Sequence, residues 1–180
     1  MATDSGNRHT GLTWRAGWII LLCILLSIGI YVCSSRVPII YAIDTDGRIL
    51  IAQHVNTGTT LESQYIHSVA RCPIIEKFEI NEAYDIVLME SWNCSFGAGI
   101  ETETPDDAST RMENGYYVYE NINQPFSEIA FHAVALNDHT LTIDDKTWEL
   151  SKHPFRGTTL TIFVTEERRL AYWKHKLQLF

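Results

Sequence analysis

In the stretch Ile74 to Ile80 (Ile-Ile-Glu-Lys-Phe-Glu-Ile), the even positions are Ile74, Glu76, Phe78 and Ile80, and the odd ones are Ile75, Lys77 and Glu79. Successive side chains of a strand point to opposite faces, so a strand here places Glu76 among apolar residues, apart from Lys77 and Glu79. An unpaired buried carboxylate costs several kcal/mol, which makes Glu76 a candidate for binding or proton chemistry as well as for a register-fixing polar network. Two neighbours repeat the pattern. Leu61 to Val69 carries Leu61, Ser63, Tyr65, His67 and Val69 on one face, and Tyr84 to Trp92 carries Tyr84, Ile86, Leu88, Glu90 and Trp92. A hairpin through Ala70-Arg71-Cys72-Pro73 that pairs Val69 with Ile74 sets His67 opposite Glu76 and Tyr65 opposite Phe78. If Cys72 and Cys94 are directly opposed, Glu76 lies across from Glu90, and His67, Glu76 and Glu90 form one row. Two carboxylates that close do not both ionise cheaply, so one holds a proton or the row takes a cation, which protonated His67 supplies.

Directly after comes Cys94-Ser95-Phe96-Gly97-Ala98-Gly99. A hydroxyl followed by two glycines one residue apart lets the backbone approach a ligand, although a tight turn explains Gly97 and Gly99 equally well. A nucleophilic enzyme needs Ser68 or Ser95 beside His67. Ser68 follows His67 directly and projects to the other face of its strand, which leaves a hydrolase the weakest of the functional classes. One His and two Glu without a close-spaced ligand pair give no basis for a metal, and no cofactor motif is present. Glu101, Glu103, Asp106 and Asp107 lie in the polar stretch Glu101 to Asn114, which lacks the spacing and glycine of a calcium loop and reads as an exposed loop.

The elements that must position these residues follow from period-two patterning. Ten candidate strands are Ile39 to Ile43, Arg48 to Val55, Leu61 to Val69, Ile74 to Ile80, Tyr84 to Trp92, Tyr116 to Glu120, Ser127 to Ala135, Thr140 to Ile143, Thr147 to Leu150 and Thr159 to Thr165. Turn clusters such as Asp46-Gly47 and Asn114-Gly115 separate them. The expected fold is all-β, an antiparallel sandwich or partly closed barrel of about eight to ten strands. Leu170, Trp173, Leu177 and Phe180 recur at helical spacing among Arg168, Arg169, Lys174, His175 and Lys176, which predicts a short amphipathic helix. Such a helix either lies on a membrane or a partner, or packs back on its own sheet.

No charged residue occurs from Ala16 to Ser35, and 20 uncharged residues span roughly 30 Å, the thickness of a bilayer's hydrocarbon core. The run is long for a signal peptide and its end offers a poor cleavage site, so an uncleaved anchor is expected. Four segments result: a cytoplasmic tail at 1–15, a transmembrane anchor at 16–35, an extracytoplasmic β-domain at 36–166 and an amphipathic tail at 167–180. After Ser35 there are 12 basic and 21 acidic residues, a net charge of 12 − 21 = −9. That balance has no electrostatic footprint for nucleic acid, and it is repelled by an anionic surface. Arg8 and Arg15 on one side balance Arg36 and Arg48 on the other, so the positive-inside count does not orient the anchor. The pair Cys72 and Cys94 suits a disulfide in an oxidising compartment, or it is two unrelated buried thiols.

Tyr65-Ile66-His67-Ser68-Val69, then Pro73, Glu76 and Phe78, then Ser95-Phe96-Gly97-Ala98-Gly99 resemble the signature of domain-of-unknown-function family 1850, over roughly Pro38 to Thr165. This is a family of small bacterial proteins with an N-terminal membrane segment, whose genes often neighbour TRAP-type transporters of the TAXI kind. The resemblance implies no catalytic residue. Cys72 and Cys94 interrupt the family's motifs, which suggests a local disulfide. The expected function is a non-enzymatic accessory protein of the cytoplasmic membrane, anchored by one helix, that contacts the permease or solute-binding protein of such a transporter. The alternative is a binding module for a small solute or cation, lined by Tyr65, His67, Ser68, Glu76, Glu90, Ser95, Phe96, Gly97 and Gly99.

Overall fold

The computed structural model describes residues 10–69, 71–94, 108–133 and 138–178. Among the described residues a long helix, α1 (Thr10–Ser34), comes first. Its stretch Trp14–Ser34 has a mean hydropathy of 2.5 and is not buried against the rest of the chain. At about 1.5 Å per residue these 21 residues reach roughly 31 Å. A helix satisfies its own backbone groups, which an apolar segment in lipid requires.

Eleven strands follow among the described residues: β1 (Arg36–Ile43), β2 (Ile49–His54), β3 (Thr60–Ile66), β4 (Pro73–Ile80), β5 (Ile86–Asn93), β6 (Ser109–Glu113), β7 (Tyr116–Phe126), β8 (Glu128–His132), β9 (His139–Ile143), β10 (Lys146–Glu149) and β11 (Thr159–Arg168). The helix α2 (Arg169–Gln178) closes the described chain. All strand pairs are antiparallel, in a four-stranded sheet of order β2-β1-β11-β8 and a seven-stranded sheet of order β10-β9-β3-β4-β5-β7-β6. The fold is therefore all-β and a two-sheet sandwich, and neither sheet closes into a barrel. Each of the ten predicted strands has a counterpart; nine agree with their expected bounds to within three residues, and β7 runs six residues past Glu120, to Phe126. The eleventh, β6, falls in the polar stretch expected to be a loop. It is a short edge strand, hairpinned to β7 through Asn114 and Gly115, whose φ values of 50° and 85° suit a tight hairpin turn.

Between the sheets lies the main core, built from alternate residues of both: Ile40, Ala42, Leu160 and Ile162 from the smaller sheet, Leu61, Phe78, Ile80, Ile86, Leu141 and Ile143 from the larger. Burying one such side chain stabilises the fold by about 1.5–3 kcal/mol. The opposite face of β1 is covered too. Val37, Ile39 and Tyr41 pack against Tyr172 of α2, and the Tyr41 hydroxyl donates to Glu167 at 2.8 Å. The C-terminal helix thus packs back on its own sheet through one side.

The junction of α1 with the sandwich is one residue long. Ser35 extends α1 by donating its N–H to Tyr31 O at 3.0 Å, and Arg36 opens β1. Ser35 O then accepts the N–H of Arg169, the first residue of α2, at 3.0 Å.

Candidate functional site

Toward the end of the larger sheet that carries the 67–72 loop, the apolar inner face gives way to polar side chains. The strand registers set Ser63 of β3 beside Glu76 of β4, and Glu76 beside Ser91 of β5. The next row holds His139 of β9, Tyr65, Ile74 and Asn93. Ser63 Oγ and His139 Nε2 are hydrogen-bonded at 3.0 Å. Asn93 donates its side-chain N–H to Ser91 Oγ at 3.2 Å. The His139 ring also meets Tyr65 at 5.6 Å and Phe131, across the sandwich, at 5.2 Å between centroids.

Burial governs the electrostatics. His139 is only 6% exposed, and burial pushes its pKa down from 6.5 to about 4, so the ring is neutral at physiological pH. Burial likewise raises Glu76 above the usual carboxylate range, with no hydrogen-bond partner among the described residues to offset it. The Tyr65 hydroxyl is raised first by its own burial and then by the Glu76 charge. A neutral imidazole, a reluctant carboxylate and a phenol within two rows make a polar patch in an apolar wall. Ser63 is fully buried, so its hydroxyl, though bonded to a histidine, presents no nucleophile to a diffusing substrate. Among the described residues no cluster of His, Cys, Asp or Glu could hold a metal ion.

Replacing Glu76 with Gln separates charge from shape. Since the folded state disfavours the ionised carboxyl, wild-type stability falls as pH rises through the folded pKa of Glu76. Glu76→Gln should therefore be the more stable protein at neutral pH, by about 1 kcal/mol in denaturant titrations. A less stable variant would reveal a stabilising partner for the carboxylate.

The predicted row is only partly assembled. Tyr65 and Glu76 take part in it. His67 does not face Glu76: its N–H donates to Cys72 O at 2.9 Å and its carbonyl accepts from Arg71 at 2.8 Å, closing a loop of four residues, Ser68 to Arg71. That loop shifts the register by four from Val69–Ile74, pairs Ser63 with Glu76 and Tyr65 with Ile74, and leaves Ser68 and Val69 exposed. Arg71 adopts a φ of 54° to make the turn. Glu90 lies on the opposite face, because the register slips between Leu88 and Glu90 and Met89 is an extra residue. A bulge of this kind reverses the alternation beyond it. Ile86 and Leu88 face the core, whereas Glu90 and Trp92 point outward, and Glu90 pairs with Lys77 at 3.1 Å.

On that outer face Lys77 and Arg111 stand over Trp92 at 4.5 and 5.1 Å. Trp92 Nε1 donates to Glu90 at 2.7 Å. Burial opposes ionisation of Glu90, yet the Trp92 and Lys77 hydrogen bonds and the charges of Lys77 and Arg111 together hold its pKa below the usual carboxylate range. This is a satisfied surface network. Ser95, Phe96, Gly97 and Gly99, with Glu101, Glu103, Asp106 and Asp107, lie outside the described residues.

Cys72 and Cys94 form a disulfide with their Cα atoms 6.2 Å apart, offset by one from directly opposed positions, since Ile74 pairs with Asn93. Ser63, Ser91, Asn93 and His139 were not anticipated as site residues. For His139 the signal was present: extending the alternation of Leu141 and Ile143 back by one step places it on the apolar face.

The profile of a family described as Domain of unknown function (DUF1850) matches residues 61–150. Neither a curated protein nor a solved structure matches the chain. The matched segment is shorter than the sequence motifs suggested. It contains the seven-stranded sheet except Thr60, the first residue of β3, and every residue of the polar patch, while α1, β1, β2, β11 and α2 lie beyond it. With half of its length covered by that profile, the chain belongs to the DUF1850 family.

Proposed function

We propose that this protein is a non-enzymatic accessory component of the cytoplasmic membrane, its β-sandwich held outside the membrane by α1, and that it assists a TRAP-type transporter of the TAXI kind. The observation that carries the anchoring is the exposed apolar α1 joined without a linker to the sandwich. A signal peptide is followed by a cleavable stretch, whereas here the residue after the helix is bonded to both α1 and α2. The Cys72–Cys94 bridge favours an oxidising compartment for the sandwich. The transporter link rests on the family resemblance described above. Deleting the gene should lower uptake of the transporter's solute, and affinity purification of the full chain should bring down the permease or the solute-binding protein. Unchanged uptake with neither protein co-purifying would overturn the proposal.

The patch around Glu76 and His139 favours a second reading, a module that binds a small polar or cationic ligand. A ligand present at 100 times its Kd stabilises a protein by about 2.7 kcal/mol. In a thermal-shift screen, such a stabilisation should appear with wild type and vanish in Glu76→Gln. A wild type that no small solute or cation stabilises would end this reading.

A further inference from the structure

The side of α2 that does not touch the sheet is left open. Tyr172 is buried against β1, whereas Leu170, Trp173 and Leu177, at spacings of three and four, form a stripe with exposures of 64%, 53% and 75%. Large apolar side chains are seldom aligned and exposed on a soluble surface without a function. The stripe does not stand alone. Together with Ala171 and Lys174 it lines a groove of about 760 Å³ whose other wall is Ile30, Cys33 and Ser34 of α1.

That wall fixes the depth. Ile30 precedes Ser34 by four residues, roughly 6 Å along a helix. If α1 crosses the bilayer, Ile30 lies at acyl depth and Ser34 at the headgroups. A helix whose first N–H is bonded to Ser35 O, and whose apolar side shares a groove with Ile30, lies at the same boundary. Charge agrees with this placement. Four of the 12 basic residues after Ser35, Arg168, Arg169, Lys174 and Lys176, fall in or beside α2, and Arg36 pairs with Arg168 at the same end. The domain as a whole carries −9, so five basic residues gathered at this end run against its overall charge. Lys176 folds over the Tyr172 and Trp173 rings, at 5.7 and 5.5 Å, the way long cationic side chains cover apolar surface while keeping the charge in water.

We infer that α2 is an interfacial helix, lying in the headgroup region of the bilayer that α1 enters, with Leu170, Trp173 and Leu177 at the acyl boundary and the Arg and Lys side chains on lipid phosphates. The inference rests on α1 being membrane-spanning. The occupant of the groove is phospholipid, because whatever fills it shares a wall with the anchor at acyl depth. Together the two helices hold the small sheet flat against the membrane and turn the larger sheet, with its polar patch, toward the aqueous side.

The test uses the full chain reconstituted in vesicles of phosphatidylcholine and phosphatidylglycerol, with and without brominated acyl chains. Tryptophan emission of wild type is compared with that of Trp173→Phe, the difference isolating Trp173 from Trp14, Trp18, Trp92 and Trp148. The Trp173 component should emit to the blue and be quenched by the brominated lipid, and a Leu177→Glu change should remove most of that quenching while leaving the Trp14 and Trp18 quenching intact. Quenching of Trp14 and Trp18 with none of Trp173 would overturn the inference and leave the anchor standing. In that case α2 is exposed to water or covered by a second copy. If none of the three is quenched, the anchor reading has failed and this inference falls with it.

Discussion

Replacing Cys72 and Cys94 together by Ser should cost this protein about 3 kcal/mol of stability, on the chain-entropy relation for a loop of 22 residues. For a domain of this size that corresponds to a drop in Tm of roughly 10 °C. The bridge joins the end of the 67–72 loop to the residue after β5, so it clamps the same end of the larger sheet that carries Ser63, Glu76 and His139. Thermal unfolding of the full chain in detergent, with wild type, reduced wild type and the double variant, measures the effect. Reduced wild type and the double variant should coincide, both far below the oxidised protein. Equal midpoints for oxidised and reduced wild type would mean that the bridge does not constrain the unfolded chain.

The second large effect is acid destabilisation through His139. Its pKa is depressed from 6.5 to about 4, so between these values the unfolded chain binds a proton that the folded one refuses. The stability is complete above pH 6.5 and is lost as pH falls toward 4. At 1.36 kcal/mol per pH unit the full loss is on the order of 3 kcal/mol. Glu76 works in the opposite sense, since its raised pKa stabilises the protein as pH falls. The comparison that isolates His139 is therefore with His139→Gln, which keeps a side chain able to hydrogen-bond Ser63 but does not titrate. Denaturant titrations from neutral pH to pH 4 should show a steep fall for wild type and a shallower one for the variant. Parallel curves would mean that the ring is protonated in the folded state.

The fold was largely legible in the sequence because half-buried strands alternate and turns announce themselves. Asp46-Gly47 closes the β1–β2 hairpin, with Asp44 Oδ1 accepting the N–H groups of Asp46 and Arg48, both at 2.9 Å. Asn114-Gly115 makes the β6–β7 turn. What alternation does not reveal is where it is interrupted. One extra residue at Met89 carried Glu90 and Trp92 from the core face to the solvent face, where the indole stacks with cations. A turn that begins at Ser68, two residues earlier than the expected Ala70–Pro73 connection, moved His67 off the sheet. Both are local events whose cost and gain depend on neighbours distant in sequence. β6 was missed because Ser109–Glu113 has no apolar face to bury. It holds its place through backbone pairing and through Arg111, which bonds Glu120 at 2.8 Å. Glu76 lies on the face expected of it because its strand, Pro73–Ile80, faces the core at Ile74, Phe78 and Ile80, and the register shift beside Lys77 and Phe78 places its extra residue on β5, leaving the alternation of β4 unbroken.

The function proposed for the protein depends on one spatial arrangement: α1 in the membrane and a disulfide-bonded sandwich on its outer side. Labelling intact cells with a membrane-impermeant maleimide, before and after an impermeant reductant, followed by peptide mapping, tests that arrangement directly. Cys72 and Cys94 should be unreactive at first and both labelled after reduction, while Cys23, in the middle of α1, stays unlabelled throughout. Cys72 and Cys94 that remain unlabelled in intact reduced cells, yet react as free thiols once the cells are lysed without reductant, would place the sandwich in the cytoplasm and contradict the account.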